Sequence, residues 1–145
     1  MRAFVTGASG HIGSAVIPEL LKAGHEVVGR ARSDNSAAAL RAAGAEVRCG
    51  DLDDLDGLRE AAAGADSVIH LAFKHEAMRS GDFPGAVAAD LHAIEAIGTA
   101  LHGSGKPFVS TSGTLMLTLA GITGRLGTEQ DVSEAGREST PRTPR

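Results

Sequence analysis

The stretch FVTGASGHIGSAV, residues 4–16, decides the fold of this chain. A short apolar run ends at Gly7, further glycines follow at three-residue spacing, and an amphipathic pattern starts at Gly13. The apolar run predicts a buried strand, and the pattern that ends at Gly24 predicts a helix. Strand, glycine turn and helix together make up the first half of a βαβ unit.

The same alternation continues beyond this stretch. Further strands are predicted at residues 26–29, 45–49, 67–73 and 107–112, and further helices at 33–44, 54–64 and 85–105. Strands that alternate with helices at this length imply right-handed crossovers and a parallel sheet. The sequence therefore predicts an α/β fold, a doubly wound parallel sheet of about five strands.

The composition limits the number of domains, the kind of core and the kinds of partner that this chain can have. Its 145 residues suit one domain, and 42% hydrophobic residues suffice for a core that must be aliphatic, because there is no Trp or Tyr. A formal charge of -4 argues against a nucleic-acid partner. The single cysteine, Cys49, excludes an internal disulfide, fits a reducing compartment and is expected to be a small buried strand residue.

No targeting or membrane segment is evident in the sequence. The apolar run after Arg2 is too short for the core of a signal peptide. The longest apolar stretch, residues 115–122, is far shorter than the ~20 residues of a membrane span. We therefore expect a soluble, cytoplasmic protein with no membrane partner.

The pattern fades after Ser112, and from Gly124 on the chain is polar and rich in glycine, proline and charge. The sequence predicts one patterned α/β domain at residues 1–113. Residues 114–145 are expected to form a partial segment that is loop-rich or disordered.

The three glycines predict an anion site. Gly7 allows a tight turn, Gly10 lets the backbone approach a pyrophosphate, and Gly13 lets the helix pack closely on the strand. The free N–H groups of the first helical turn then face the anion. The alternative is a strand-turn-helix with merely permissive glycines. A P-loop is excluded, because no Gly-Lys-Ser/Thr follows.

The end of the second strand bears on the choice of cofactor. An NAD site places an acidic residue there, roughly 20 residues past the glycines, whereas an arginine suits the 2′-phosphate of NADP. Here Arg30 and Arg32 stand at that place, so NADP is predicted over NAD, with Arg32 as the contact. The alternative is a pair of solvated loop arginines. Asp34 is interpreted as the N-cap of the next helix.

The end of the third strand, GDLDD at residues 50–54, predicts an adenine site. Asp51 is placed to accept from the adenine amino group, and Leu52 to pack on the ring. For Asp53 and Asp54, helix capping and solvation are an equally good account.

These residues carry a family resemblance. The motifs TGASGHIG (6–13), GDLDD (50–54), IHLA (69–72) and FVSTSG (108–113) occur in order at the ends of strands. Together they resemble the extended or atypical short-chain dehydrogenase/reductase superfamily, and more narrowly its NAD-dependent epimerase/dehydratase group. The resemblance covers roughly residues 1–113 and implies a Rossmann fold that binds NAD or NADP.

The resemblance also implies site residues. Those along the pyrophosphate are Gly7, Ser9, Gly10, His11 and Ile12, and those toward the nicotinamide ribose are Leu71, Ala72 and Phe73. Lys74 could add a charge near that ribose or the substrate. The end of the fifth strand carries the hydroxyl that bonds the substrate oxygen, which is Thr111 or Ser112 here, with Thr111 slightly favoured.

One departure from the family is plain. Its general acid/base is a tyrosine with a lysine four residues on, but this chain contains no tyrosine, and its last lysine is Lys106. The sixth strand and the substrate lobe are not evident either. We expect either the cofactor-binding part of a longer oxidoreductase or epimerase acting on a small-molecule substrate, or a stand-alone module that binds the dinucleotide as a non-catalytic sensor. A folded remnant without function is a third reading.

Three further expectations follow. An exposed strand edge would favour self-association, with a homodimer as the simplest form. None of the six histidines has the spacing of a metal site, and they are expected to be surface or loop residues. Ser112 does not stand in the Gly-x-Ser-x-Gly turn of a hydrolase, because Ser110 stands two residues before it.

Overall fold

The computed structural model describes residues 1–113, 121–122, 124–128 and 131. The strands are β1 (Arg2–Thr6), β2 (Glu26–Ala31), β3 (Glu46–Cys49), β4 (Ser67–His70) and β5 (Phe108–Ser110). The helices are α1 (Gly13–Lys22), α2 (Asp34–Ala42), α3 (Leu55–Ala63), α4 (His75–Arg79) and α5 (Phe83–Leu101).

The five strands form one parallel sheet in the order β3-β2-β1-β4-β5. The chain runs outward from β1 to β3, crosses to the other side of β1, and runs outward again to β5. This confirms the predicted doubly wound α/β fold. Because the winding reverses between β1 and β4, a crevice opens there at the carboxyl ends of the strands, where such sheets bind ligands.

Two apolar cores cover the two faces of the sheet, since successive strand residues point to opposite sides. Phe4 packs with α3 and α5 residues such as Leu58 and Ile97. The neighbouring Val5 packs with Ile17 of α1 and Leu40 of α2. Burial on both faces explains why the inner strands have continuous apolar runs.

Helix boundaries follow local capping chemistry, with two differences from the sequence analysis. The N-cap of α2 is Ser33, whose hydroxyl accepts the Ser36 N–H at 3.2 Å, so the interpretation of Asp34 as the cap was wrong. Helix α4, only five residues long, was not predicted. Pro18 lies inside α1, which nevertheless continues to Lys22.

The strands also differ in detail from expectation. β4 ends at His70, and Leu71–Phe73 leave the sheet as an irregular segment. β5 is shorter than predicted and covers only Phe108–Ser110. Cys49 is exposed, contrary to the predicted burial, because it ends β3, and β3 is an edge strand covered less fully than its neighbours.

The chain divides into two compact units, Met1–Thr111 and Ser112–Arg145. In the second unit, Arg125 pairs with Asp131, and the Thr128 N–H donates to the same carboxylate at 2.8 Å. The guanidinium is the main cause, and the N–H the next, of a pKa of Asp131 well below its usual range. The predicted segment at 114–145 lies largely outside the described residues and stays a prediction.

Among the described residues, no helix combines the length and the apolar character needed to cross a membrane.

Candidate functional site

The glycine turn after β1 tolerates no side chain at two of its positions. Gly7 has φ of 64°, and a Cβ there would lie 2.7 Å from the backbone of Leu71 and Ala72. At Gly13 a Cβ would lie 2.4 Å from the carbonyl oxygens of Gly7 and Ala8. The turn therefore packs backbone to backbone, against the segment after β4 on one side and against the start of α1 on the other.

Between these two positions the turn presents free backbone donors. The Gly10 N–H donates to the Gly7 carbonyl at 2.9 Å, which closes the turn. The N–H groups of His11, Ile12 and Gly13 have no acceptor within the described part of the chain. Unpaired N–H groups at the start of a helix attract an anion, and the helix dipole adds to this attraction.

A cavity of about 730 Å³ opens beside this turn. Its volume lies in the range of small-molecule and cofactor sites. All twelve residues that the sequence analysis assigns to the cofactor lie in its wall: Gly7, Ser9, Gly10, His11, Ile12, Gly13, Arg32, Asp51, Leu52, Leu71, Ala72 and Phe73. Four separate stretches of sequence thus meet at one place.

A buried arginine shapes the part of the wall formed after β3. The side chain of Arg30 is only 3% exposed, and its Nε donates to the Asp51 carbonyl at 3.1 Å. Its Nη2 donates to the Asp54 carboxylate at 2.7 Å, while Nη1 is buried without a partner among the described atoms. The pKa of Asp54 lies below its ordinary value, first through the Gly57 N–H and then through Arg30.

The Asp51 carboxylate also folds back on its own turn. Its Oδ1 accepts the N–H groups of Asp53 at 2.9 Å and Asp54 at 3.2 Å. This hydrogen-bonded turn, together with Arg30, holds Leu52 in the cavity wall with 7% exposure. The sequence analysis placed Arg30 beside Arg32 after a strand that it ended at Gly29, but β2 continues to Ala31, and neither the burial of Arg30 nor this bonding was foreseen.

Helix α4 and the residue before it contribute further charged residues to the cavity wall. Glu76 accepts two hydrogen bonds from Arg32, at 3.1 and 3.0 Å, and the guanidinium holds the pKa of Glu76 below its ordinary value. Lys74 pairs with Asp53. Lys74, His75 and Arg79 lie in the cavity wall with Arg32. The wall is therefore rich in cations.

A buried polar network lies under the turn. Thr6 Oγ1 accepts the N–H groups of Leu71 and Ala72 at 3.2 and 3.3 Å, so its own O–H donates to His70 Nδ1 at 2.7 Å. With Nδ1 accepting, the ring N–H of His70 is at Nε2, and it donates to Asp90 Oδ1 at 3.1 Å. The network ties β1, the segment after β4 and α5 together beneath the cavity. The sequence analysis found no metal spacing among the histidines and took them for surface or loop residues, which is wrong for the buried His70.

The two predicted hydroxyl residues stand apart from this group. Thr111 follows β5, and its Oγ1 donates to the His70 carbonyl at 3.2 Å. Ser112 is exposed and begins the second unit. Neither lies in the wall of the cavity as the described residues define it. No cluster of three or more His, Cys, Asp or Glu side chains suited to a metal occurs within the described ranges either.

The fold and the cavity define a class: an α/β nucleotide-binding protein of the Rossmann type. The model of the NAD dependent epimerase/dehydratase family matches residues 3–128, and the chain belongs to that family. An uncharacterized protein of Schizosaccharomyces pombe is 46% identical over 142 residues, which are 98% of this chain and 45% of that protein.

Two further similarities come from a characterised enzyme and a solved structure. Sterol-4-alpha-carboxylate 3-dehydrogenase of Dictyostelium discoideum is 42% identical over 73 residues, which cover 50% of this chain and 22% of that enzyme. The crystal structure of a Citrobacter triphenylmethane reductase complexed with NADP(H) is 26% identical, with a TM-score of 0.62, over 79% of this chain and 38% of that one. The chain thus spans less than half the length of these relatives.

Proposed function

We propose that the cavity binds NADP(H), in preference to NAD(H), and that the chain is the cofactor-binding part of a short-chain dehydrogenase/reductase that acts as an oxidoreductase or epimerase. The carrying observation is the meeting of all twelve predicted cofactor residues in one cavity wall. Family membership and the reductase crystallised with NADP(H) support a nicotinamide cofactor.

The residues present fit such a cofactor. The N–H groups of residues 11–13 would hold the pyrophosphate, since they have no acceptor within the described part of the chain and lie at the start of α1. The free oxygen of the Asp51 carboxylate would accept from the adenine amino group, with Leu52 against the ring. Arg32 would bind the 2′-phosphate, because its guanidinium is exposed and lies in the wall.

The nicotinamide end would lie along Leu71–Phe73, where the irregular segment after β4 lines the cavity. A bound nicotinamide supplies or accepts a hydride at its C4 atom. Thr111 or Ser112 would orient the oxygen of a small-molecule substrate. Because Thr111 already donates its proton to the His70 carbonyl, it would act toward the substrate as an acceptor.

A second candidate is a non-catalytic dinucleotide sensor, which is favoured by the absence of tyrosine from all 145 residues. In either case we propose a cytoplasmic protein, in keeping with its single cysteine. We also propose self-association, with a homodimer as its simplest form. The side chain of Val109 on the edge strand β5 is 55% exposed and would be partly covered in such a dimer.

Calorimetric titration of the full chain with NADPH and with NADH tests the proposal. We expect both to bind, NADPH more tightly, and expect Gly10→Asp to weaken both by at least about tenfold, because a carboxylate would face the pyrophosphate. The matched control is Gly98→Asp, on an exposed face of α5 where a new Cβ meets no atom within 4 Å. Failure of the folded wild-type chain to bind either cofactor would contradict the proposal.

A further inference from the structure

The ion pair between Arg32 and Glu76 joins two segments that are far apart in the sequence. Arg32 follows β2, whereas Glu76 lies 44 residues later in α4. Both outer nitrogens of the guanidinium donate to the two carboxylate oxygens, at 3.1 and 3.0 Å. The two side chains are 63% and 73% exposed, so the pair can open without disturbing a core.

This pairing uses the donors that a phosphate would need. A guanidinium presents a planar fork that binds one carboxylate or one phosphate through two parallel hydrogen bonds. Glu76 already fills that fork in Arg32. An incoming 2′-phosphate would therefore have to displace the carboxylate, and would also be repelled by it until it moves away.

A second arginine lies near enough to take part in such an exchange. Arg79 stands three residues after Glu76 in the same helix, a spacing that places side chains side by side. Arg79 lies in the cavity wall, and no ion pair is formed by it within the described part of the chain. When a phosphate takes Arg32, the Glu76 carboxylate can turn toward Arg79.

We propose that Glu76 is a specificity-determining residue that competes with the 2′-phosphate for Arg32 and so narrows the preference for NADP(H) over NAD(H). The inference rests on the proposed function, because it assumes that the cavity binds the dinucleotide. The sequence analysis based the preference for NADP(H) on the residues at the end of β2 alone. This proposal adds Glu76 of α4 to the residues that set that preference.

The test is titration of the full chain and of Glu76→Gln with NADPH and NADH at low salt and neutral pH. The substitution keeps the size of the side chain and removes its charge. We expect it to tighten NADPH binding by about two- to fivefold, the range of an exposed ion pair, and to leave NADH unchanged. The gain should shrink as salt is raised, because screening weakens exposed pairs.

Two further variants separate this effect from a change in overall charge. Glu60→Gln breaks the exposed Arg48–Glu60 pair, which lies outside the cavity wall, and should alter neither affinity. In an Arg32→Gln background, Glu76→Gln should lose most of its effect on NADPH, since the guanidinium for which Glu76 and the phosphate compete is gone.

Several results would overturn the inference. Unchanged NADPH affinity in Glu76→Gln would mean that the carboxylate does not compete. Weaker NADH binding would mean that Glu76 instead holds the ribose hydroxyls. An equal gain from Glu60→Gln would mean a general charge effect. If the folded wild-type chain bound neither cofactor, both this inference and the proposed function would fail; if it bound them and only the variant effect were missing, the function would stand.

Discussion

The two ends of the cleft along the carboxyl edge of the sheet are built differently. At the carboxyl ends of β1 to β4, twelve predicted residues share one cavity wall, and its glycine turn is closed by a backbone hydrogen bond. At the β5 end, the predicted residue Thr111 is exposed and lies outside that cavity wall. The residues proposed for the cofactor thus lie together within the described part of the chain, whereas Thr111, proposed for the substrate, does not lie with them.

The physical reason lies in what holds each end. At Gly7 and Gly13 the neighbouring backbone leaves no room for a Cβ, which would lie less than 3 Å from backbone atoms. The Thr111 hydroxyl has a single hydrogen bond to the His70 carbonyl. If this contrast is correct, substitutions in the glycine turn should lower both stability and cofactor affinity. Substitution of Thr111 should change neither.

The largest effect is expected for Gly13→Ala. A methyl group there would lie 2.4 Å from two carbonyl oxygens, which must move apart. We expect the free energy of unfolding to fall by roughly 3 kcal/mol and NADPH binding to be lost. Urea denaturation measures the first and calorimetry the second.

The matched control for this change is Gly98→Ala, on the exposed side of α5 with no atom within 4 Å of the new methyl group. It should stabilise the chain by about 0.5–1 kcal/mol, because alanine favours a helix over glycine. Equal stability changes at the two positions would show that the turn is not closely packed.

A smaller effect, on cofactor affinity, is expected for Arg30→Met. This substitution tests whether Arg30 supports the turn after β3 in the cavity wall. Methionine keeps much of the apolar volume but removes the bonds to the Asp51 carbonyl and the Asp54 carboxylate. We expect NADPH and NADH to bind about tenfold more weakly, to a similar extent, because the adenine contact is common to both.

Arg48→Met is the control for Arg30→Met. Arg48 stands beside Arg30 in the register of β2 and β3, yet its guanidinium is exposed and pairs with Glu60. Its removal should leave both affinities unchanged. A loss confined to NADPH in Arg30→Met would indicate a contact with the 2′-phosphate instead of support for the turn.

The smallest effect is expected for Thr111→Val. The exposed side chain loses one hydrogen bond, so stability should change by less than about 0.5 kcal/mol and NADPH affinity by less than about twofold. The same substitution at the buried Thr6 removes a hydroxyl with three partners and should destabilise by roughly 2 kcal/mol. Denaturation and titration of the two variants make the contrast quantitative, and similar losses at both positions would refute it.

Sequence reasoning predicted the α/β fold and the strand, glycine turn and helix at its start, because both depend on local patterns. The assignment of individual residues to the cofactor stays a prediction. It failed where burial or partners are set by distant residues. Cys49 was expected inside and is exposed, since β3 lies at the edge of the sheet. Helix α4 was not recognised, because five residues carry too little periodicity to be detected.

What the sequence by itself determined is the alternation of strands and helices and the backbone geometry at Gly7, Gly10 and Gly13, because these follow from periodicity and from the absence of a Cβ. Only the tertiary structure decided the partners of the charged side chains. It buried Arg30 under the turn after β3, paired Arg32 with Glu76, and set His70 between Thr6 and Asp90. Such pairings depend on which strand ends lie side by side, and a linear pattern carries no record of that.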